Sequence, residues 1–356
     1  MSSSIRLKVQ SFLPVALTIL LAAIGGAVAT LLNLPAGWLM GGALAVTVAA
    51  MMGVPVALPG RVRDATFVLI GMSMGASVAP DSLTLLASWP ISLAGLAIEL
   101  MVIIALTGWM LTKFFKLDPG TAYLSSFPGH LSFVLSIAST GVGDARQIVI
   151  IQVIRILMLT IVVPIGAVFL PIDHFAPPAP SSYLSAWELL AIAAGCVAMG
   201  LVFIWLKIPA GLVLGSMAAA TAAKLGGLYT GSLPGPLVIV SFILTGALIG
   251  SRFAGITRKE FVTAAWGGVI ATGMTVGIVS VVAWLVSLVV DMPYGQLWLG
   301  LSPGALEGMG ALGIALGYDT AFIAAHHVIR LLMLSFAIPL VVVVIRRREV
   351  AVKAGE

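Results

Sequence analysis

PGHLSFVLSIASTGVGDARQIVIIQVIRILMLTIVVP, residues 128–164, returns 175 residues later as PGALEGMGALGIALGYDTAFIAAHHVIRLLMLSFAIP, residues 303–339. Twelve of the 37 positions are identical, where chance gives roughly 3. The matches include Pro, Gly, Asp and Arg, residues whose backbone and charge roles do not interchange. Working outward, Pro35-Ala36-Gly37 with Gly41 returns as Pro209-Ala210-Gly211 with Gly215, and Phe67, Leu69, Gly71 and Gly75 return as Phe242, Leu244, Gly246 and Gly250. The chain therefore reads as a duplication: repeat 1 over 1–171, a Pro/Ser-rich linker over 172–186, repeat 2 over 187–345, and a basic tail over 346–356.

Each repeat carries six apolar segments, near 12–32, 35–57, 65–80, 90–114, 119–140 and 145–170, then 187–206, 209–226, 236–251, 262–290, 294–316 and 320–345. Hydrophobic residues make up 60% of the 356 and charged residues only 9%, with mean hydropathy +1.17. A soluble domain carries about 25% charged residues, so this surface must face lipid and a soluble enzyme is excluded. The opening residues look like a secretory signal, with Arg6 and Lys8 before an apolar run, but segment 187–206 is its counterpart, which favours an uncleaved first helix. The lone Cys196 can form no internal disulfide, and its apolar surroundings suggest a buried, inert thiol.

The net charge of +5 helps to orient the repeats. If all six segments crossed, Arg252, Arg258 and Lys259 would lie outside, against the positive-inside rule. If the fifth segment of each repeat enters and leaves on one side, each repeat has five crossings and the second is inverted. Arg6, Lys8, Arg61, Arg63, Lys113, Lys116, Arg146, Lys207, Arg252, Arg258, Lys259 and Arg346-Arg347-Arg348 then all fall inside, while Asp81, Asp173 and Asp291 fall outside. Lys224 is the main exception. The expected fold is an all-α polytopic membrane protein of two inverted repeats, about five crossings each, with broken or re-entrant helices.

Ionisable residues within apolar helices are costly and are functional candidates. Arg155 lies about ten residues into its segment, roughly 15 Å from the end, and Arg330 is its repeat mate. Gln152 and His327 stand three residues before them, on the same helix face. Either arginine could bond carbonyls freed by a broken helix or meet a substrate or counter-ion directly. The breaks are Ser125-Ser126-Phe127-Pro128-Gly129-His130 and Leu301-Ser302-Pro303-Gly304-Ala305-Leu306-Glu307. Proline removes a donor, and backbone interrupted at membrane depth persists only where protein or a polar cavity receives it. Matched breaks in inverted repeats point to a transport site.

Glu307 follows the second break, with Ser132 at its repeat position; Glu99 sits midway along the fourth segment, opposite Met274. Either carboxylate could carry a proton or cation, or Glu99 could pair with an arginine of another helix. Asp144 and Asp319 read as helix N-caps. His130 could titrate or simply be hydrogen-bonded. His130, His174, His326 and His327 are the only histidines and make no metal-ligand spacing, and no phosphate-cradling loop occurs. No metal, cofactor or nucleic-acid partner is expected.

The paired Leu/Ile-Pro-Ala-Gly turns, the Ser/Phe-Pro-Gly breaks and the Asp…Arg-Ile/Leu-Leu-Met-Leu…Pro helices resemble the bacterial AbrB-type membrane proteins, a family also labelled as ammonia monooxygenases. The resemblance spans both repeats. It shares only a name with soluble DNA-binding transition-state regulators, and the copper ligands an ammonia-oxidising site would need are missing. The inverted-repeat pattern is similar to that of cation/proton antiporters and bile-acid-type symporters, by analogy only.

The expected function is secondary transport of a small anion by alternating access. Substrate binding falls to Arg155, Arg330, Gln152, His327, Pro128, Gly129, His130, Ser302, Pro303 and Gly304, and proton or ion coupling to Glu307 or Glu99. The expected partners are the lipid bilayer and a small-molecule or ion substrate, and a homo-oligomer is compatible with the sequence. The expected location is the inner membrane, multi-pass, with both termini cytoplasmic. A membrane sensor acting indirectly on gene expression is the alternative, and a membrane monooxygenase a weaker one.

Overall fold

The computed structural model describes residues 2–78, 89–129, 131–139, 141–168 and 182–355. His130, His174, Asp81, Asp173 and most of the linker lie outside the described residues. The described chain is helical: α1 (Ser2–Leu31), α2 (Gly37–Met51), α3 (Gly60–Ser77), α4 (Trp89–Phe115), α5 (Pro119–Ser126), α6 (Leu131–Ala138), α7 (Ala145–Val168), α8 (Ala186–Trp205), α9 (Gly211–Leu225), α10 (Gly235–Ser251), α11 (Arg258–Ser287), α12 (Tyr294–Leu301), α13 (Leu306–Leu316) and α14 (Thr320–Gly355). Six of them, α1, α4, α7, α8, α11 and α14, are long and apolar enough to cross a bilayer. Their outer faces are apolar and exposed, as at Met101 (64%), Leu190 (64%) and Phe336 (80%). The chain is an all-α polytopic membrane protein. The α14 helix runs on through the basic tail to Gly355.

The turns repeat as the sequence does. Asn33 and Ala36 take left-handed backbone between α1 and α2 (φ 54° and 51°), and Lys207 and Ala210 do the same between α8 and α9 (59° and 54°). The N–H of Leu34 returns to the Ala29 carbonyl at 3.0 Å, and that of Ile208 to Phe203 at 2.9 Å, which closes each preceding helix in the same way.

The chain forms two compact units, each drawn from both repeats. One comprises Met1–Leu85, Thr160–Ile256 and Ala305–Ala324; the other comprises Leu86–Leu159, Thr257–Gly304 and Ala325–Glu356. Within the first, α3 packs on α9 and α10 on α2, an exchange of partners between repeat mates. Close backbone approach needs glycine at both contacts. A Cβ at Gly71 would collide with the Val213 carbonyl, and one at Gly246 would stand 2.7 Å from the Leu39 carbonyl. Lys224, out of place by charge alone, donates to the Ala76 carbonyl at the end of α3 at 2.6 Å, a helix C-terminal site that favours a cation.

Helix senses can be read within the second unit. Gly95 of α4 faces Val282 and Val286 of α11, whereas Leu111 and Phe115 face Gly267, so these repeat mates run antiparallel. The α7 helix runs with α11, because Arg146 pairs with Glu260 and Ile154 lies against Gly268. The α14 helix runs with α4: Ser92 bonds His326, and Glu99 interacts electrostatically with Arg330. Antiparallel mates are what inversion of the second repeat requires. One end of this unit therefore gathers Lys113, Lys116, Arg146, Arg258, Lys259 and the C-terminal end of α14.

The α5–α6 segment is re-entrant. Asp118 caps α5, accepting from Thr121 N at 2.9 Å with Pro119 next to it, and the eight residues of α5 span only about 12 Å. After α6 the chain comes back to its start, where Asp144 N donates to Thr121 Oγ1 at 2.7 Å. The segment thus begins and ends beside the start of α7, on the basic end of the unit.

Candidate functional site

The first break strands the carbonyls at the end of α5, and α7 supplies the missing donors. Pro128 has no N–H for the Leu124 carbonyl four residues back, and Gln152 Nε2 donates to it instead at 3.2 Å. Gly129, at φ 120°, turns its N–H onto the Phe127 carbonyl at 3.0 Å and so leaves that of Ser125. Arg155 takes both, with Nη1 donating to Ser125 O at 3.3 Å and Nη2 to Phe127 O at 3.0 Å. Gln152 and Arg155 are buried, at 1% and 5% exposure.

The second break has the same arrangement. Gly304 N turns onto the Ser302 carbonyl at 2.9 Å. Arg330 forks over the break, with Nη1 donating to Ser302 O at 2.8 Å and Nη2 to Gly304 O at 2.7 Å. Both arginines therefore hold backbone in the described structure, one of the two roles their sequence positions left open. Ser302, Pro303, Gly304 and Pro128 are buried around these contacts, and Gly129 is partly buried. His327, the counterpart of Gln152, is fully buried one turn from Arg330.

Glu99 belongs to the same unit and the same electrostatic neighbourhood. It is 0% exposed, and among the described residues neither carboxylate oxygen has a hydrogen-bond partner. No described cation pairs with it directly. Arg330 is nonetheless close enough to interact with its charge, and Arg155 close enough to interact with Arg330. Each arginine keeps its Nε unpartnered among the described residues, and the Thr107 hydroxyl, on the buried face of α4 with Glu99, is likewise unpartnered. Two buried guanidinium groups and one buried carboxylate leave an excess of one positive charge, an arrangement that favours an anion.

Glu307 lies in the other unit, at the first turn of α13, in an ion pair with Arg252 at 2.6 Å. Sequence reasoning set Arg252 among the loop charges and missed this partnership. Asp144 accepts from Arg146 N at 2.8 Å and Asp319 from Ala321 N at 2.8 Å, both as helix N-caps. Ser92 and Trp89 were also missed; Ser92 Oγ bonds His326 Nε2 at 2.8 Å, and the Trp89 ring meets that imidazole edge-on at 6.1 Å. Their only sequence signal is a serine seven residues before Glu99 on one helix face. Cys196 is buried and donates to the Ser216 carbonyl at 3.2 Å. Among the described residues no group of three or more His, Cys, Asp or Glu side chains is placed to share a metal ion.

A family model described as "Transition state regulatory protein AbrB" matches residues 38–346. The chain is 26% identical over 310 residues to "Putative regulator AbrB" of Escherichia coli (strain K12), covering 84% of this chain and 87% of that protein. It is 25% identical over 355 residues to "Uncharacterized protein YhjN" of Bacillus subtilis (strain 168), covering 90% of each. No solved structure matches.

Proposed function

Since the chain belongs to the AbrB family, and is a polytopic membrane protein, we propose that it is a secondary transporter of a small anion, working by alternating access. The observation that carries this reading is the buried excess of positive charge where Arg155 and Arg330 cross the two helix breaks. Isolated buried charge is costly, and a site that retains it gains stability when a ligand of opposite sign binds. Matched breaks in inverted repeats add support, because interrupted backbone at membrane depth is the usual setting of a transport site. The substrate-facing set is Arg155, Arg330, Gln152, His327, Pro128, Gly129, His130, Ser302, Pro303 and Gly304, with Glu99 or Glu307 coupling the movement to a cation. The basic end of the second unit supports a cytoplasmic C-terminus, and Arg6 and Lys8 at the start of the chain support the same side for the N-terminus of an inner-membrane protein.

Uptake of radiolabelled carboxylates into proteoliposomes tests the site. Arg330→Ala should reduce uptake at least tenfold, and unchanged uptake would remove the site.

The names of the family model and of the Escherichia coli relative favour a second reading, a membrane sensor that acts indirectly on gene expression. A stable complex with a soluble regulator, without solute flux, would support it over transport.

A further inference from the structure

We propose, building on the transport reading, that Glu99 is the proton-binding site of the cycle, and that its proton and the anion bind cooperatively through Arg330. Two carboxylates come into question for coupling, and their surroundings separate them. Glu307 is held by Arg252 at 2.6 Å, in the unit that does not contain Arg155 and Arg330. Glu99 shares a unit with both arginines, is fully enclosed, and has no hydrogen-bond partner on either oxygen among the described residues.

The surroundings select the cation. A sodium or calcium ion needs several oxygen ligands. Within one helical turn of Glu99 the buried residues of α4 are Gly95, Leu96, Leu100 and Ile103, none with a side-chain oxygen, and among the described residues no group of three or more His, Cys, Asp or Glu could hold a metal ion. A proton needs one oxygen. The helices packed on α4 bring few titratable groups: α5 contributes Tyr123, and α11 carries none between Phe261 and Ser287. The charged and titratable groups on the remaining helices nearby are Arg330, His326 and His327 of α14 and Arg155 of α7.

Coupling then follows from shared charge. Ionised Glu99 and a bound anion both draw on the guanidinium of Arg330. A proton on Glu99 removes one competitor and leaves that charge for the ligand. By linkage, the anion strengthens proton binding by the same factor. The carrier is thereby biased to be loaded with both or with neither, which is the condition for symport.

The test uses the full-length protein in lipid bilayers, with infrared difference titration of the buried carboxylic acid C=O stretch. Wild type, Glu99→Gln, Arg330→Lys and Arg330→Gln are compared after each is shown to be folded. The expected result is a buried-acid band that is absent from Glu99→Gln and little moved in Arg330→Lys. In Arg330→Gln its midpoint should rise by about one pH unit, tenfold in proton affinity, for the loss of one nearby cation. If no buried-acid band is lost in Glu99→Gln, or if the band lost there has a midpoint indifferent to Arg330→Gln, the proposal is overturned. Should Arg330→Gln fail to fold, the Glu99→Gln comparison still decides whether Glu99 is the proton site.

A second arm follows acid-driven uptake of radiolabelled pyruvate and succinate into proteoliposomes, which Glu99→Gln should abolish. If the band behaves as expected and wild type moves neither anion, the proton site stands and transport of these carboxylates falls.

Discussion

Replacing Arg155 with lysine separates the arginine's hydrogen bonds from its charge. The substitution keeps a cation on α7, although an ammonium is more strongly hydrated than a guanidinium and costs more to bury. It removes the fork. A guanidinium reaches Ser125 O and Phe127 O together, at 3.3 and 3.0 Å, whereas an ammonium is a point donor on a flexible stem. Phe127 O retains the Gly129 N–H at 3.0 Å, so its loss is small. Among the described residues Ser125 O retains nothing comparable, and a stranded buried acceptor costs about 1–3 kcal/mol. Arg155→Lys should therefore lower ligand-free stability by about 1–3 kcal/mol. Gln152→Leu strands the Leu124 carbonyl without touching any charge and should lose a similar amount. Reversible unfolding in bicelles, followed by steric trapping, measures both, and the double variant measures their coupling. If Arg155→Lys is within about 0.5 kcal/mol of wild type, while anion uptake is lost, the guanidinium does not support the break and the backbone-capping role is wrong.

Three further outcomes follow from individual contacts. Gly71→Ala and Gly246→Ala should each destabilise by about 1–3 kcal/mol, since each places a methyl against a partner carbonyl; a large difference between them would argue against equivalent packing of the mates. Glu307→Gln leaves Arg252 without its charged partner, so thermal stability should fall less in high salt than in low salt. Burial pushes the Tyr229 hydroxyl, bonded to the Ala220 carbonyl, up to about 12. The folded chain thus holds this proton more tightly than the unfolded chain, so the contribution is complete below about pH 10 and is lost as pH rises toward about 12. Alkaline melting should be steeper in wild type than in Tyr229→Phe across that window.

Much of this arrangement can be read from the sequence, because its causes lie in local covalent chemistry. Proline cannot donate, so Pro128 and Pro303 fix the breaks to within a residue, and the 175-residue offset pairs them. Helix sense follows from the basic loops, and the antiparallel α4 and α11 agree with it. Asp144 and Asp319 are caps because a short side chain at that position reaches only the next amides. The re-entrant path of α5–α6 follows from charge balance, since only a fifth segment that does not cross keeps Arg252, Arg258 and Lys259 inside.

Pairing across helices follows a different physics. Whether Glu307 meets a ligand or Arg252 depends on the rotation of α13 against α10, which an apolar surface without strong periodicity does not encode. Glu99 shows the same limit from the other side. Its spacing marks it as buried, but its lack of a hydrogen-bond partner among the described residues depends on how closely α14 brings Arg330. Such positions are also where a membrane protein can hold unbalanced charge, because the bilayer penalises it everywhere else. The features least legible in the sequence, the pairing of Glu307 and the isolation of Glu99 among the described residues, are therefore the ones on which the proposed coupling turns.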